Sequence, residues 1–146
     1  MYQQVLVALE NSKADTSLIE HIEKLARLVH SHLLLVHVAD GWVARNYDRL
    51  KLVESEEMKA DRRYLDETAE RLRRAGLEVS VQLALGDPPA EILKIAEREQ
   101  VDLIAMTTHG HRFIADLIYG STIHEVRHRT RIPVLLVRAR AVGERE

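Results

Sequence analysis

Two short stretches of the chain hold residues whose types and spacing suit anion binding. Thr107-Thr108-His109-Gly110 is followed, after nine residues, by Gly120-Ser121-Thr122. A glycine permits positive φ and lets backbone N–H groups come close to an anion. A helix opening at Gly120 would add unpaired N–H donors and the positive end of its dipole. Ser121 and Thr122 contribute hydroxyls, and Thr122 with Glu125 fits a capping box. Together these groups describe a phosphate cradle built from main chain rather than from Lys or Arg. An ordinary turn glycine followed by a capped helix would show the same residues, so spacing alone leaves both readings open.

A second constellation is His124-Glu-Val-Arg-His128, which spells the HExxH pattern of a zinc-dependent hydrolase on an expected helix. That chemistry needs a third ligand, an open coordination position and Glu125 as base. With eight histidines and many glutamates in the chain, a surface coincidence is the simpler account. His109 and His111 flank the cradle and suit either a phosphate or metal contact or plain solvation. His30 and His32 fall at an expected helix end, where positive charge is favoured, and His37 reads as a core residue with its N–H satisfied.

Composition removes other classes. A formal charge of −2, from 21 basic and 23 acidic residues, argues against a nucleic-acid binder. The basic run Arg127-His-Arg129-Thr-Arg131 has no interleaved aromatics and reads as a solvated helix end. The absence of cysteine excludes disulfide frameworks, thiol catalysis and cysteine-held zinc or iron–sulfur sites. No apolar run approaches the roughly 20 residues of a membrane helix. The start shows no basic-then-apolar signal segment, so a cytoplasmic location is expected. A phosphoacceptor site would need clustered acids after the first strand, where Glu10 stands without a second, and a Gly-x-Gly-x-x-Gly dinucleotide loop is missing there.

The elements that must position these groups are legible in the changing apolar period. Val5–Leu9, Leu33–Val38, Val101–Met106 and Ile132–Val137 are continuous apolar runs, and Leu77–Leu85 alternates; all five read as strands. Asn11-Ser12 offers a cap with Asp15 as the partner of a capping box, and Leu18, Ile22, Leu25, Ala26 and Val29 form one helical stripe. Residues from Asp40 to about Val53, with Trp42 and Tyr47, show no clean period and predict a long connection. Met58, Leu65, Ala69 and Leu72 predict a helix from Glu54 to Gly76, its Asp66 and Glu70 facing Arg73 and Arg74. Asp87 can cap a helix that opens with Pro88 and carries Ile92, Leu93, Ile95 and Ala96. Gly120-Ser121-Thr122 predicts the start of the last helix, and Arg138 to Glu146 a frayed polar end. Alternating strands and helices call for a parallel sheet covered on both faces, with ligands beyond the carboxyl ends of the strands. Strand 1 then lies centrally, its end beside that of strand 3 or strand 4.

From Val5 to Arg138 the chain resembles a universal stress protein domain. That family's signature is Gly, two residues, Gly, nine residues, Gly, then Ser or Thr, after strand 4. Gly110, Gly120 and Ser121 match its last positions, and Pro133-Val-Leu-Leu-Val137 matches the closing strand. Val5-Leu-Val-Ala-Leu-Glu-Asn-Ser12, His37-Val38 and Gly86-Asp-Pro-Pro-Ala-Glu91 resemble its opening strand and turn, the end of strand 2 and the turn before helix 3. The resemblance implies an α/β fold, a doubly wound five-stranded parallel sheet in a Rossmann-like, adenine nucleotide alpha hydrolase-like three-layer sandwich. It implies one domain over 1–138, with a variable connection at 40–56 and a polar tail at 139–146.

The resemblance also implies a site for ATP, or for AMP or ADP, with Mg2+ or Mn2+ accompanying the phosphates. Carried over by position, Ala8, Leu9, Glu10 and Val38 border the base. Met106, Thr107, Gly110 and His111 border ribose and phosphates, and Gly120, Ser121, Thr122 and Ile123 close the cradle. Two departures stand out: Thr107 replaces the first signature glycine, and Glu10 replaces the usual Asp. The expected role is a nucleotide-binding regulatory module of the stress response, a homodimer through Ile132–Val137, in which any ATP hydrolysis is slow and incidental. A nucleotide-free homodimeric interaction module of the same fold is the alternative, and zinc hydrolysis through His124 and His128 a remote one.

Overall fold

The computed structural model describes residues 1–40, 51–109 and 116–140. Among them, the five strand-like runs form five parallel strands, β1 (Gln4–Ala8), β2 (His32–Asp40), β3 (Glu78–Gly86), β4 (Leu103–Thr108) and β5 (Val134–Arg138). Between them lie α1 (Asp15–Val29), α2 (Lys51–Arg74), α3 (Pro88–Arg98) and α4 (Asp116–Arg129). The sheet order is β3-β2-β1-β4-β5. The chain winds outward from β1 through β2 to β3, then returns to the other side of β1 for β4 and β5. The reversal of winding therefore lies between β1 and β4, which settles strand 4 as the neighbour of strand 1.

The period-2 geometry of a strand divides the core into two layers. Val5 and Val7 of β1 pack with Leu18 and Ile22 of α1 and with Leu65, Ala69 and Leu72 of α2. Leu6, between them, faces the opposite layer with Ile92 and Ile95 of α3 and Val126 of α4. Val5, Leu6 and Val7 are all fully buried, which is why this segment reads as continuously apolar rather than alternating. The Asp102 carboxylate adds a polar clasp beneath the sheet, accepting from the amides of Gln3 and Gln4 at 3.0 Å each.

Several boundaries differ from expectation. The fourth strand continues through Thr107 and Thr108, which lie beside Val137 and Arg138 of β5. Threonine is β-branched and suits a strand, so the extended backbone outlasts the apolar run. The last helix is already present at Asp116, ahead of Gly120. An interior glycine costs only about 1 kcal/mol relative to alanine. Thr122 is thus inside the helix, and its expected capping box with Glu125 is not a helix start. The second helix already runs from Lys51. Glu70 lies near Arg73 and Arg74 as expected, while Asp66 meets Arg62. Ala139 is buried and the Arg140 amide donates to Ser17 Oγ at 3.1 Å, so packing extends two residues beyond β5. Trp42, Tyr47 and the tail at 141–146 lie outside the described residues.

Other local expectations hold. Asp87 caps α3 by accepting from the Ala90 amide at 3.3 Å, with Pro88 in the first turn. Gly86 takes φ +140°, and a Cβ there would meet Glu91 Cγ and Oε1 at 3.2 Å. The turn after β1 is built differently from a simple capping box. Asp15 reaches back from the first turn of α1 and accepts from the amides of Glu10, Asn11 and Ser12 at 2.9, 2.9 and 3.4 Å. Asn11 takes φ +61°, a left-handed conformation that asparagine tolerates. The Tyr64 hydroxyl of α2 donates to the same carboxylate at 2.6 Å. Burial, reinforced by that bond and by the charge of Asp15, pushes the Tyr64 phenol far above its ordinary pKa.

Asp15→Ala strips three amides and a phenol of a buried acceptor and should lower the unfolding free energy by about 3 kcal/mol. Tyr64→Phe, which removes one donor, should cost about 1.5 kcal/mol. Urea denaturation followed by circular dichroism measures both; equal losses for the two variants would contradict a carboxylate that serves the whole turn.

Candidate functional site

A pocket opens at the carboxyl ends of β1, β2 and β4, at the reversal of winding, where open α/β sheets take ligands. β1 and the residues following it contribute Ala8, Leu9 and Glu10, β2 contributes Val36, His37 and Val38, and β4 contributes Met106 and Thr107. Pro88 and Ile92 of α3 and Thr122 and Ile123 of α4 complete the wall. Its empty volume is about 450 Å³ with the open mouth included. Most of the lining is aliphatic, and among the described residues no Lys or Arg lines it. Such a surface favours a flat, weakly polar group over a bare anion.

The polar groups in the wall are tied to each other. Glu10 meets His109 Nε2 through both carboxylate oxygens, at 2.7 and 2.8 Å, and accepts from Ser12 Oγ at 3.2 Å. The two side chains are only 9% and 6% exposed, so the pair bridges the ends of β1 and β4 in a shielded place. His37 Nδ1 lies 2.8 Å from the Leu9 carbonyl and so donates to it, while Nε2 lies 3.5 Å from Asp61 of α2. Asn11 Nδ2 donates to the same Asp61 at 2.7 Å, so the turn after β1 and the end of β2 share one anchor. Burial raises the pKa of Glu10 above its ordinary value; the hydrogen bond and charge of His109 oppose that rise, and Asp15 adds to it.

Of the residues expected at the site, Ala8, Leu9, Glu10, Val38, Met106, Thr107, Thr122 and Ile123 converge on this pocket. Ser121 is exposed and does not line it. Gly120 is part of α4 rather than the residue that opens it, and Gly110 and His111 lie outside the described residues. Val36, His37, Pro88 and Ile92 were not singled out for the site. Pro88 had a usable signal, because a helix that opens directly after a parallel strand starts at the ligand end of the sheet. The pairing of His109 with Glu10 had none. The rings of His124 and His128 meet with centroids 4.3 Å apart and planes tilted by 59° on an exposed face of α4, away from the pocket lining. Among the described residues no group of three or more metal-ligating side chains converges, so the HExxH spacing lacks its third ligand there.

The raised pKa of Glu10 has a signed consequence. The folded chain holds this proton more tightly than the unfolded chain, so the associated stability is full below the ordinary value of 4.5 and fades as pH rises through the higher folded value. The stability of the wild type relative to Glu10→Gln should therefore fall as pH rises above the ordinary value of 4.5. Urea midpoints measured on both sides of that value check it; a difference that stays flat or grows with pH would show that His109 outweighs burial.

Comparison with known proteins agrees with this architecture. A model of the universal stress protein family matches residues 1–138. Universal stress protein MJ0577 of Methanocaldococcus jannaschii is 26% identical, over 94% of this chain and 96% of its own. Its solved structure superposes with a TM-score of 0.82, covering 97% of this chain and 99% of that one at 25% identity. A universal stress protein in complex with cAMP aligns with a TM-score of 0.66 at 21% identity, covering 94% and 97% of the two chains. One from Archaeoglobus fulgidus in complex with dAMP aligns at 0.65 and 22% identity, covering 93% and 98%. The match along residues 1–138, which span all five strands of the sheet, makes this chain a member of the universal stress protein family.

Proposed function

We propose that the pocket binds the adenine end of a nucleotide and that the chain is a cytoplasmic regulatory module that responds to ATP, ADP or AMP. The observation that carries this reading is the aliphatic pocket at the β1/β4 reversal, lined by Ala8, Leu9, Val38, Met106 and Ile123. Two family relatives of the same fold, one in complex with cAMP and one with dAMP, support an adenine ligand. The base enters between β2 and α3, where Val36, Val38 and Ile92 offer apolar contact. By the family resemblance, the reading assigns the phosphates to Gly110, His111, Gly120, Ser121 and Thr122. Mg2+ or Mn2+ would travel with the phosphates, since the described side chains provide no converging ligand set for it. The reading assigns no dedicated catalysis.

Adding ATP with magnesium, ADP or AMP should raise the melting temperature, because a ligand at 100 times its Kd stabilises the fold by about 2.7 kcal/mol. Ile123→Trp, which fills the pocket from a half-buried position, should abolish the shift while the free protein still melts cooperatively. No shift with any of the three, and no nucleotide released from freshly purified protein on denaturation, would leave the interaction-module reading in place.

The same reading includes a homodimer through β5. This strand is an edge of the sheet and presents Leu136 at 37% exposure, with Val134, Leu135 and Val137 half-buried. An apolar edge strand pairs readily with another chain. Light scattering should give twice the 16.7 kDa chain mass, and Leu136→Lys should return a monomer. A wild-type monomer at about 50 μM, a concentration at which micromolar association is complete enough to see, would refute the pairing.

A further inference from the structure

A second group of chemistry-bearing side chains lies at the opposite end of the sheet from the pocket. His32, expected at a helix end, is instead the first residue of β2, and Glu78 is the first residue of β3. The parallel register sets His32 beside Glu78 and Leu34 beside Ser80. Because side chains alternate along a strand, His32, Glu78 and Ser80 share the face that carries Leu34 and Ala84 of the α3/α4 layer. His32 Nε2 lies 2.8 Å from Ser80 Oγ, and its Nδ1 lies 3.6 Å from Glu78 Oε2. The two ring nitrogens thus serve different neighbours. A carboxylate only accepts, so the nitrogen facing Glu78 is the one that carries the ring proton. Nε2 then turns its lone pair to Ser80, and the hydroxyl donates to it.

We propose that Ser80 is a nucleophile that takes acyl groups from small activated esters, with His32 as its general base and Glu78 as the carboxylate that orients the imidazole. Hydroxyl, imidazole and carboxylate in this order activate serine on several unrelated folds, and the arrangement is recognised by geometry rather than by position in the chain. As Ser80 Oγ bonds to the ester carbonyl carbon, the π electrons move to the carbonyl oxygen and the hydroxyl proton passes to His32 Nε2. When the carbonyl re-forms, the bond to the alkoxy oxygen breaks, and that oxygen takes the proton from Nε2. The products are a Ser80 ester and a free alcohol. Water, deprotonated by the same nitrogen, then cleaves the Ser80 ester to a carboxylic acid and restores the hydroxyl. The Glu78 contact is longer than a hydrogen bond, but that side chain is 85% exposed and can close on the ring as positive charge develops there. β3 is an edge of the sheet, Ser80 is only half-buried and the His32 side chain is 29% exposed, so an ester in solution can reach the hydroxyl. Nucleophile and base stand on two paired strands, a more rigid mount than a loop.

Treating the full chain with a fluorophosphonate probe and mapping the labelled peptides by mass spectrometry tests the assignment. Ser80 Oγ bonds to phosphorus, fluoride leaves, and the phosphonate remains on the serine. Ser80 should be labelled roughly tenfold faster, or more, than Ser12 and Ser121, exposed serines that act as controls in the same sample. His32→Gln should slow labelling of Ser80 roughly 100-fold, the lower end of what a positioned general base contributes. Glu78→Gln should slow it about threefold, the size of an exposed charge pair. With p-nitrophenyl acetate, wild type should release a burst of p-nitrophenol and gain an acetyl group on Ser80, and Ser80→Ala should do neither. Should His32→Gln fail to fold, the contrast among serines in wild type and the effect of Glu78→Gln still decide the matter. Labelling of Ser80 no faster than that of Ser12, or unchanged in folded His32→Gln, shows a hydrogen bond that is structural only and overturns the proposal. Nucleotide binding at the other end of the sheet stands or falls independently of either result.

Discussion

The site depends first on the carboxylate of Asp15. A chain leaving a central parallel strand must turn sharply, and the amides of that turn have lost their strand partners. Three consecutive amides after β1, those of Glu10, Asn11 and Ser12, converge on one buried side chain that is itself the first residue of α1. The Tyr64 hydroxyl on α2 fixes the carboxylate from the other side. Backbone N–H groups bonded to an ionised acceptor make stronger bonds than neutral pairs, which allows Asn11 its left-handed conformation. The direction of the Glu10 side chain, and so its meeting with His109, follows from this turn.

From that fixed point the pocket acquires its character by mutual satisfaction of its polar groups. Glu10 and His109 hydrogen-bond one another across the β1/β4 boundary, and His37 spends one ring nitrogen on the Leu9 carbonyl. What remains available to a ligand is an aliphatic surface with sparse polar points. In a site of this kind, apolar area supplies most of the attraction, while the few unpaired polar atoms decide which molecule is accepted. Burial raises the Glu10 pKa even beside a histidine, a sign that the wall is poorly solvated.

The strands and their order of succession were legible because burial on both faces leaves continuous apolar runs such as Val5–Leu9. The apolar half of the site followed, since strand ends at one edge of a parallel sheet must share that edge. The rest depended on contacts that leave no periodic trace. Thr107 and Thr108 lack the apolar signature of a buried strand, yet they pair with β5 because backbone hydrogen bonding does not require apolar side chains. Asp15 fitted a capping box with Ser12, and its carboxylate does reach the Ser12 amide, but the two amides before it and Tyr64 became visible only in three dimensions. The start of α4 was misplaced because Gly120 resembles a helix boundary, whereas helix-competent residues precede it.

Glu10 and His109 are 99 residues apart in sequence, and the pocket needs both ends of that span. A growing polypeptide on the ribosome can complete β1, α1, β2 and β3 and still lack the finished pocket, because Met106, Thr107 and the α4 wall have not yet been made. The pocket is therefore completed late in the biogenesis of the molecule. A premature fragment would carry apolar strand ends that no partner or ligand has yet covered, and would be exposed to quality control at that stage.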